Sequence, residues 1–264
     1  MVMTSETHST AASTPNNGDA TAWRSHPFEA LMAINNQLLG NESHDGCTRS
    51  VNFMSYELAT VCHNKTEIES LEAFNDFFFG TKKFRFSPEP VLIQNIVSER
   101  CGCGIALALL YMHLAKQIGL QLQLIHWPLH TILKWEHAGR AKFIDLEQQG
   151  KILSEEELLS MINKHKDQVR TLALHEALVQ YLAYVSMSYR QSEDYETLHK
   201  ALSLILRLEP ENTRFLAERA ILRRDLSLFK ESLSDFKRYF SFTDISMASP
   251  EVIAVYETVR ILNI

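Results

Sequence analysis

The chain has 264 residues, of which 45% are hydrophobic, enough to fill a substantial core and to make one large domain or two modest ones. Its 32 acidic and 26 basic residues leave a formal charge of -6, with no dense Lys/Arg block, so nucleic acid is not an expected partner. No run of 18 apolar residues occurs, which excludes a membrane-spanning helix of ordinary kind and leaves no expected membrane partner.

Residues 1–22 are rich in Ser, Thr, Asn and Ala and carry few large apolar groups. Such a segment buries too little surface to offset its ordering entropy, and a disordered tail is expected. It also lacks a basic region followed by an apolar one, so no secretory signal is expected and the location reads as cytoplasmic. Four irregularly spaced cysteines, Cys47, Cys62, Cys101 and Cys103, fit reduced thiols rather than a disulfide framework.

Helical periodicity begins near Phe28, with Leu31, Met32, Ile34 and Leu38 on one stripe, and stops at Gly40 and Asn41. Two further helical stretches follow, V-N-F-M-S-Y-E-L-A-T-V-C-H and I-E-S-L-E-A-F-N-D-F-F-F, before residues 80–90 break the pattern. The next run, A-L-A-L-L-Y-M-H-L-A, has no polar face wide enough for solvent and predicts a central buried helix ended by Gly119. After it come Q-L-Q-L-I-H-W, T-I-L-K-W and A-K-F-I-D-L, three segments rich in strand formers, with turns expected at Pro128 and at H-A-G-R. They predict antiparallel strands. Ser154 and Glu157 then form a capping box that opens another helix.

The last hundred residues are helical in pattern and repeat internally. A shift of 34 residues superposes Leu182 on Leu216, Ala183 on Ala217, Ser186 on Ala220, Tyr195 on Phe229, Leu202 on Phe236 and Leu206 on Phe240, the period of tetratricopeptide units. Small residues at Ser186 and Ala220 would let paired helices approach, Tyr195 and Phe229 would plug the gap between helices, and Pro210 would turn the chain between units. A final helix from about Ser249 to Leu262 completes a short solenoid. Such arrays present a surface to a protein or peptide partner or cover a neighbouring domain.

Chemistry concentrates between Glu99 and Leu146, where Cys103, His130 and Asp145 occur in the order of a papain-type thiol site. A helix start and an imidazole held by a carboxylate lower a thiol pKa and make it a nucleophile. Here His130 would be the general base and Asp145 its orienter; alternatively the pair secures two adjacent strands, and Cys103 packs as a small hydrophobe. Arg100 reads either as an anchor for an anion or as a tie to loop carbonyls or Asn95, and Trp127 either as a cleft wall or as core. Cys101, Cys103, His126 and His130 also have zinc-compatible types, although C-x-C closes poorly on one metal. No metal or other cofactor is expected.

The succession E-R-x-G, A-L-L-Y, L-A-K-Q-I-G-L, P-L-H, I-D-L and L-S-E-E-E-L, with helical repeats behind it, resembles the SirB-like bacterial proteins. That resemblance covers roughly residues 65–242. It implies an α+β fold: a transglutaminase-like, papain-like core at 23–165 with a small antiparallel sheet, followed by all-α tetratricopeptide-like repeats at 166–264. Carried over from Gly119, it puts His130 and Asp145 on the family histidine and aspartate and Arg100 on the family arginine. Gly104, not Cys103, then falls in the nucleophile slot. One residue on a helix is about 100° of rotation, so a thiol at 103 points elsewhere unless the flanking glycines bend the backbone. The expected function is a non-catalytic or weakly catalytic interaction module; the alternatives are a thiol hydrolase or acyltransferase on amide bonds and a zinc-stabilised structural protein.

Overall fold

The computed structural model describes residues 26–40, 45–89, 92–127, 130–162 and 169–263. The expected tail at 1–22 and the turn at Pro128 lie outside them. The first helix, α1 (Pro27–Leu39), buries the stripe of Phe28, Leu31, Ile34 and Leu38 and stops at Gly40, as its periodicity predicts. α2 (Asp45–Val61) follows, and α3 (Glu67–Asn75) starts in a full capping box between Thr66 and Glu69. The helical path then widens into a π-helical turn at Asp76–Thr81 instead of ending cleanly, which packs the Phe78 ring on Phe74, Phe84 and Tyr111.

A two-residue strand β1 (Arg85–Phe86), a short helix α4 (Ile93–Glu99) and β2 (Cys101–Gly102) lead into α5 (Gly104–Gln117). β1 and β2 pair in parallel and bring the chain to the start of α5. From Gly104 to Tyr111 every residue of α5 is buried, as its lack of a polar face requires. Residues 91–99 carried no helical expectation; seven residues give too little periodicity to register.

Three antiparallel strands follow, β3 (Leu122–Trp127), β4 (His130–His137) and β5 (Arg140–Asp145), each close to its expected span. Ala138 and Gly139, both at positive φ, make the two-residue turn between β4 and β5. Two strands too short for sequence periodicity complete the sheet, β6 (Lys151–Leu153) and β7 (Arg170–Leu172), in the order β6-β5-β4-β3-β7. Between them lies α6 (Glu155–Ile162), opened by the reciprocal hydrogen bonds of Ser154 and Glu157. β7 falls after the boundary expected at 165, so the sheet takes in residues that the sequence places with the helical repeats.

The remainder is two helical hairpins, α7 (Leu174–Gln191) with α8 (Tyr195–Leu208) and α9 (Thr213–Asp225) with α10 (Phe229–Phe242), and then α11 (Pro250–Leu262). Ser186 and Ala220 are buried where helices meet, and Pro210 lies in the turn between hairpins. Tyr195 departs from its expected role: it opens α8 but stays 44% exposed, because a first-turn side chain leans back over the preceding turn rather than into the gap. Leu198, Ala201, Leu202 and Ile205 fill that interface. Buried ionic bonds hold the second hairpin. Asp235 accepts from Arg219 at 2.7 and 2.8 Å and from Arg223 at 2.6 Å, while Arg223 Nε donates to His199 Nε2 at 3.1 Å.

Both halves share one continuous core that runs from α1 through α5 and the inner face of the sheet into α7–α11. The chain is therefore α+β, mostly helical, with one small antiparallel sheet.

Candidate functional site

The start of α5, the facing ends of β3 and β4, the turn after β5 and one side of α7 enclose a cavity of about 470 Å³. Trp127, the last residue of β3, and His130, the first of β4, are register partners, so their rings meet at the mouth of the hairpin. They stack with centroids 4.7 Å apart. Trp127 is 7% exposed, and its indole Nε1 is buried without a hydrogen-bond partner among the described residues.

Asp145 ends β5 fully buried, and its carboxylate is occupied by the turn that follows: it accepts from Glu147 N at 3.0 Å, Gln148 N at 3.1 Å and Gln148 Nε2 at 2.7 Å. No hydrogen bond or ion pair joins it to His130. That tight turn throws Glu147 back over the sheet instead. Glu147 Oε1 accepts from the backbone N–H of Thr131 at 3.0 Å, and Oε2 faces His130 Nδ1 at 3.4 Å, an approach too loose to close a hydrogen bond. Burial pushes the Glu147 carboxyl above its usual range; the Thr131 N–H and His130 pull it down, and Asp145 raises it again.

Glu147 had no place in the sequence reading. The signal that points to it is spacing: two residues beyond a strand-ending aspartate whose oxygens cap a turn, a side chain returns to the face of the sheet where the next strand begins.

The slot expected for a nucleophile is occupied at Gly104, the first residue of α5, and the space a side chain would need there is already filled. A Cβ at 104 would collide with Thr131 Oγ1, lie 2.9 Å from Thr131 Cβ and come within 3.2 Å of Glu147 Oε1. Cys103, one residue earlier, is 3% exposed and belongs to the core, not to the cavity lining. Burial pushes its thiol up; the backbone N–H groups of Ala106, Cys103 and Ile105 oppose this, although none makes a capping hydrogen bond. A buried neutral thiol is a poor nucleophile.

Arg100 lies at the far end of β2 in a left-handed conformation that ends α4. Its guanidinium packs 5.0 Å from the Phe84 ring centre, and Nη1 points at Met54 Sδ. It does not line the cavity. Of the expected site residues the structure thus brings His130 and Trp127 together, and sets Cys103, Asp145 and Arg100 apart from them. Among the described residues no cluster of three or more His, Cys, Asp or Glu side chains is placed to hold a metal, the side chain of His126 lying outside the description.

The outer wall belongs to the helical hairpins. Gln180, Ala183, Tyr184 and Met187 line it from α7 and Arg214 from α9, with Tyr184 46% and Met187 53% exposed. Arg214 and Arg190 both pair with Glu218 at the rim.

A family profile described as the transglutaminase-like superfamily matches residues 47–191, more than half of the chain and every element that builds the cavity except α9. Among curated proteins the chain is similar to F-box only protein 21 of Pongo abelii, 23% identical over 218 residues that make up 74% of this chain and 34% of that protein. The F-box only protein 21 of Homo sapiens is 23% identical over 69% of this chain and 32% of its own length. A UPF0162 protein of Vibrio cholerae is 22% identical over 70% of this chain and 73% of its own length. The chain spans about a third of the length of the F-box relatives it matches. No solved structure matches.

Proposed function

Given that the chain belongs to the transglutaminase-like superfamily, we propose that it is a non-catalytic member of it, a SirB-like interaction module whose cleft and tetratricopeptide-type hairpins bind a protein or peptide. The observation that carries this reading is the filled space at Gly104. A nucleophile at that position needs room in front of the helix start, and Thr131 and Glu147 take it. Its neighbour Cys103 is held in the core, where desolvation favours the thiol over the thiolate.

The His130–Glu147 contact then has a structural job. The Thr131 N–H ties the start of β4 to the turn after β5 through Glu147 Oε1, and the imidazole packs beside that bond. The similarity to a third of F-box only protein 21 supports a unit that also serves inside longer proteins. Four free cysteines support a reducing, cytoplasmic setting, and among the described residues no helix is long and apolar enough to cross a membrane.

Iodoacetamide labelling of Cys103 near pH 6, followed by peptide mass spectrometry, tests the reading. The expected result is labelling slower than that of free cysteine and unchanged by His130→Ala. Fast labelling that His130→Ala abolishes would show a poised thiol and overturn it.

A further inference from the structure

The cavity has a chemical character that the filled nucleophile space does not explain. Its inner end holds a carboxylate, Glu147, whose side chain is only 18% exposed. Beside it lie the stacked rings of Trp127 and His130, of which His130 is the more open to the cavity, its side chain 31% exposed. Ile105, Leu124, Ile125 and Leu172 supply apolar surface to the lining, and Thr131 and Gln180 add polar groups. Among the described residues the one lysine or arginine in the lining, Arg214, sits at the rim and is already paired with Glu218.

We propose that this cavity receives the guanidinium of an arginine in a partner peptide, with Glu147 as its counter-ion and the Trp127–His130 stack as its platform. The inference rests on reading the cleft as a binding site. A carboxylate has about four lone-pair positions, and Glu147 commits one to the Thr131 N–H and turns another toward His130, so two remain for a forked donor. A guanidinium is planar, weakly hydrated and stacks on aromatic faces, which suits an aromatic wall beside a carboxylate; a lysine ammonium is a compact, strongly hydrated point charge and gains less there. The overall charge of -6 favours a basic partner at longer range.

A peptide suits the opening better than a free amino acid. Tyr184 and Met187, one turn apart on α7, extend an exposed apolar strip outward from the cavity. Residues flanking the arginine would cover that strip, and a single amino acid would leave it bare.

Titration calorimetry of the full chain with acetyl-Leu-Arg-Leu-amide, its citrulline and lysine counterparts, and free arginine tests the proposal. The arginine peptide is expected to bind about tenfold more tightly than the citrulline peptide, which has the same shape and no charge, and clearly more tightly than lysine or free arginine. Glu147→Gln should erase the preference over citrulline, and Tyr184→Ala, an exposed position that leaves folding intact, should weaken the peptide and spare free arginine. No measurable binding, or equal binding of the arginine and citrulline peptides, would overturn the proposal. Equal binding of lysine would overturn the choice of guanidinium, and equal binding of free arginine the choice of a peptide. Mass spectrometry of the recovered peptide separates the two readings: a cleaved or cross-linked product would defeat the non-catalytic reading while leaving an arginine preference standing.

Discussion

Glu147, not Asp145, faces His130: its Oε2 lies 3.4 Å from Nδ1, while both Asp145 oxygens are taken up by Glu147 N, Gln148 N and the Gln148 amide. The aspartate acts one step back, shaping the turn that delivers the glutamate. A carboxylate therefore stands beside the imidazole and next to the helix start, where an active thiol would stand.

Gly104 and Thr131 should be energetically coupled. Gly104→Cys should destabilise the protein by about 1–3 kcal/mol, because its Cβ meets the Thr131 side chain. Thr131→Gly should recover part of that loss, beyond its own effect as a single change. Urea unfolding of the two single variants and the double variant checks this, and strict additivity would contradict the packing described here.

Asp235 should be the most sensitive charged residue of the hairpins. Its side chain is 5% exposed, and those of its partners Arg219 and Arg223 are 13% and 15% exposed. Asp235→Ala leaves two largely buried cations without a counter-charge, at a cost of about 3–5 kcal/mol. Replacing the exposed Glu196, in its surface pair with Lys200, should cost less than about 0.5 kcal/mol.

His199 predicts a pH dependence with a definite sign. Burial, then Arg223 and Arg219, hold its pKa below 6.5, with Asp235 and Glu231 opposing, and it accepts a hydrogen bond from Arg223 that its protonated form cannot accept. The unfolded chain thus takes up a proton at this site at higher pH than the folded one. Stability contributed by neutral His199 is complete above pH 6.5 and declines as pH falls through that value toward the lower folded pKa. His199→Gln keeps an acceptor and cannot titrate, so its melting temperature should fall less between pH 7.5 and 5.5 than that of the parent; equal falls would refute this.

Gly150 should resist substitution. It sits at φ +75°, and a Cβ there would collide with Asn75 Oδ1 and lie 2.5 Å from the Phe79 ring. Asn75 Nδ2 also donates to Gly150 O at 2.7 Å, and Gly150 N donates to Asp145 O at 2.8 Å, so the same contacts brace the turn carrying Glu147. Gly150→Ala should cost about 1–3 kcal/mol, read by urea unfolding, and should broaden or shift the His130 ring signals in NMR.

The features legible in the sequence were those with long periods or strong local chemistry. Helix α5 announced itself by having no polar face, β3 by strict alternation, and α6 by the Ser154–Glu157 box. Strands β6 and β7 have three residues each and borrow their conformation from β5 and β3, so no local pattern marks them. At the site, His130 was marked by P-L-H and Trp127 by the proline after it, and the register of β3 with β4 then sets the two rings side by side. Asp145 was readable by residue type but not by role, since its partners lie within its own turn. Glu147 sits in E-Q-Q-G, a stretch that looks like any polar turn until the turn's direction is known.

Three residues, Arg170 to Leu172, join the sheet to the helices that follow it. They form the edge strand beside β3 and lead almost directly into α7, so the hairpins hang from the sheet by hydrogen bonds as well as by chain connectivity. A form of the protein shortened at residue 165 would lose its outermost strand, bare the edge of β3 for pairing with other molecules and open one side of the cavity to water. A fragment that keeps the sheet whole therefore extends through β7 to the start of α7.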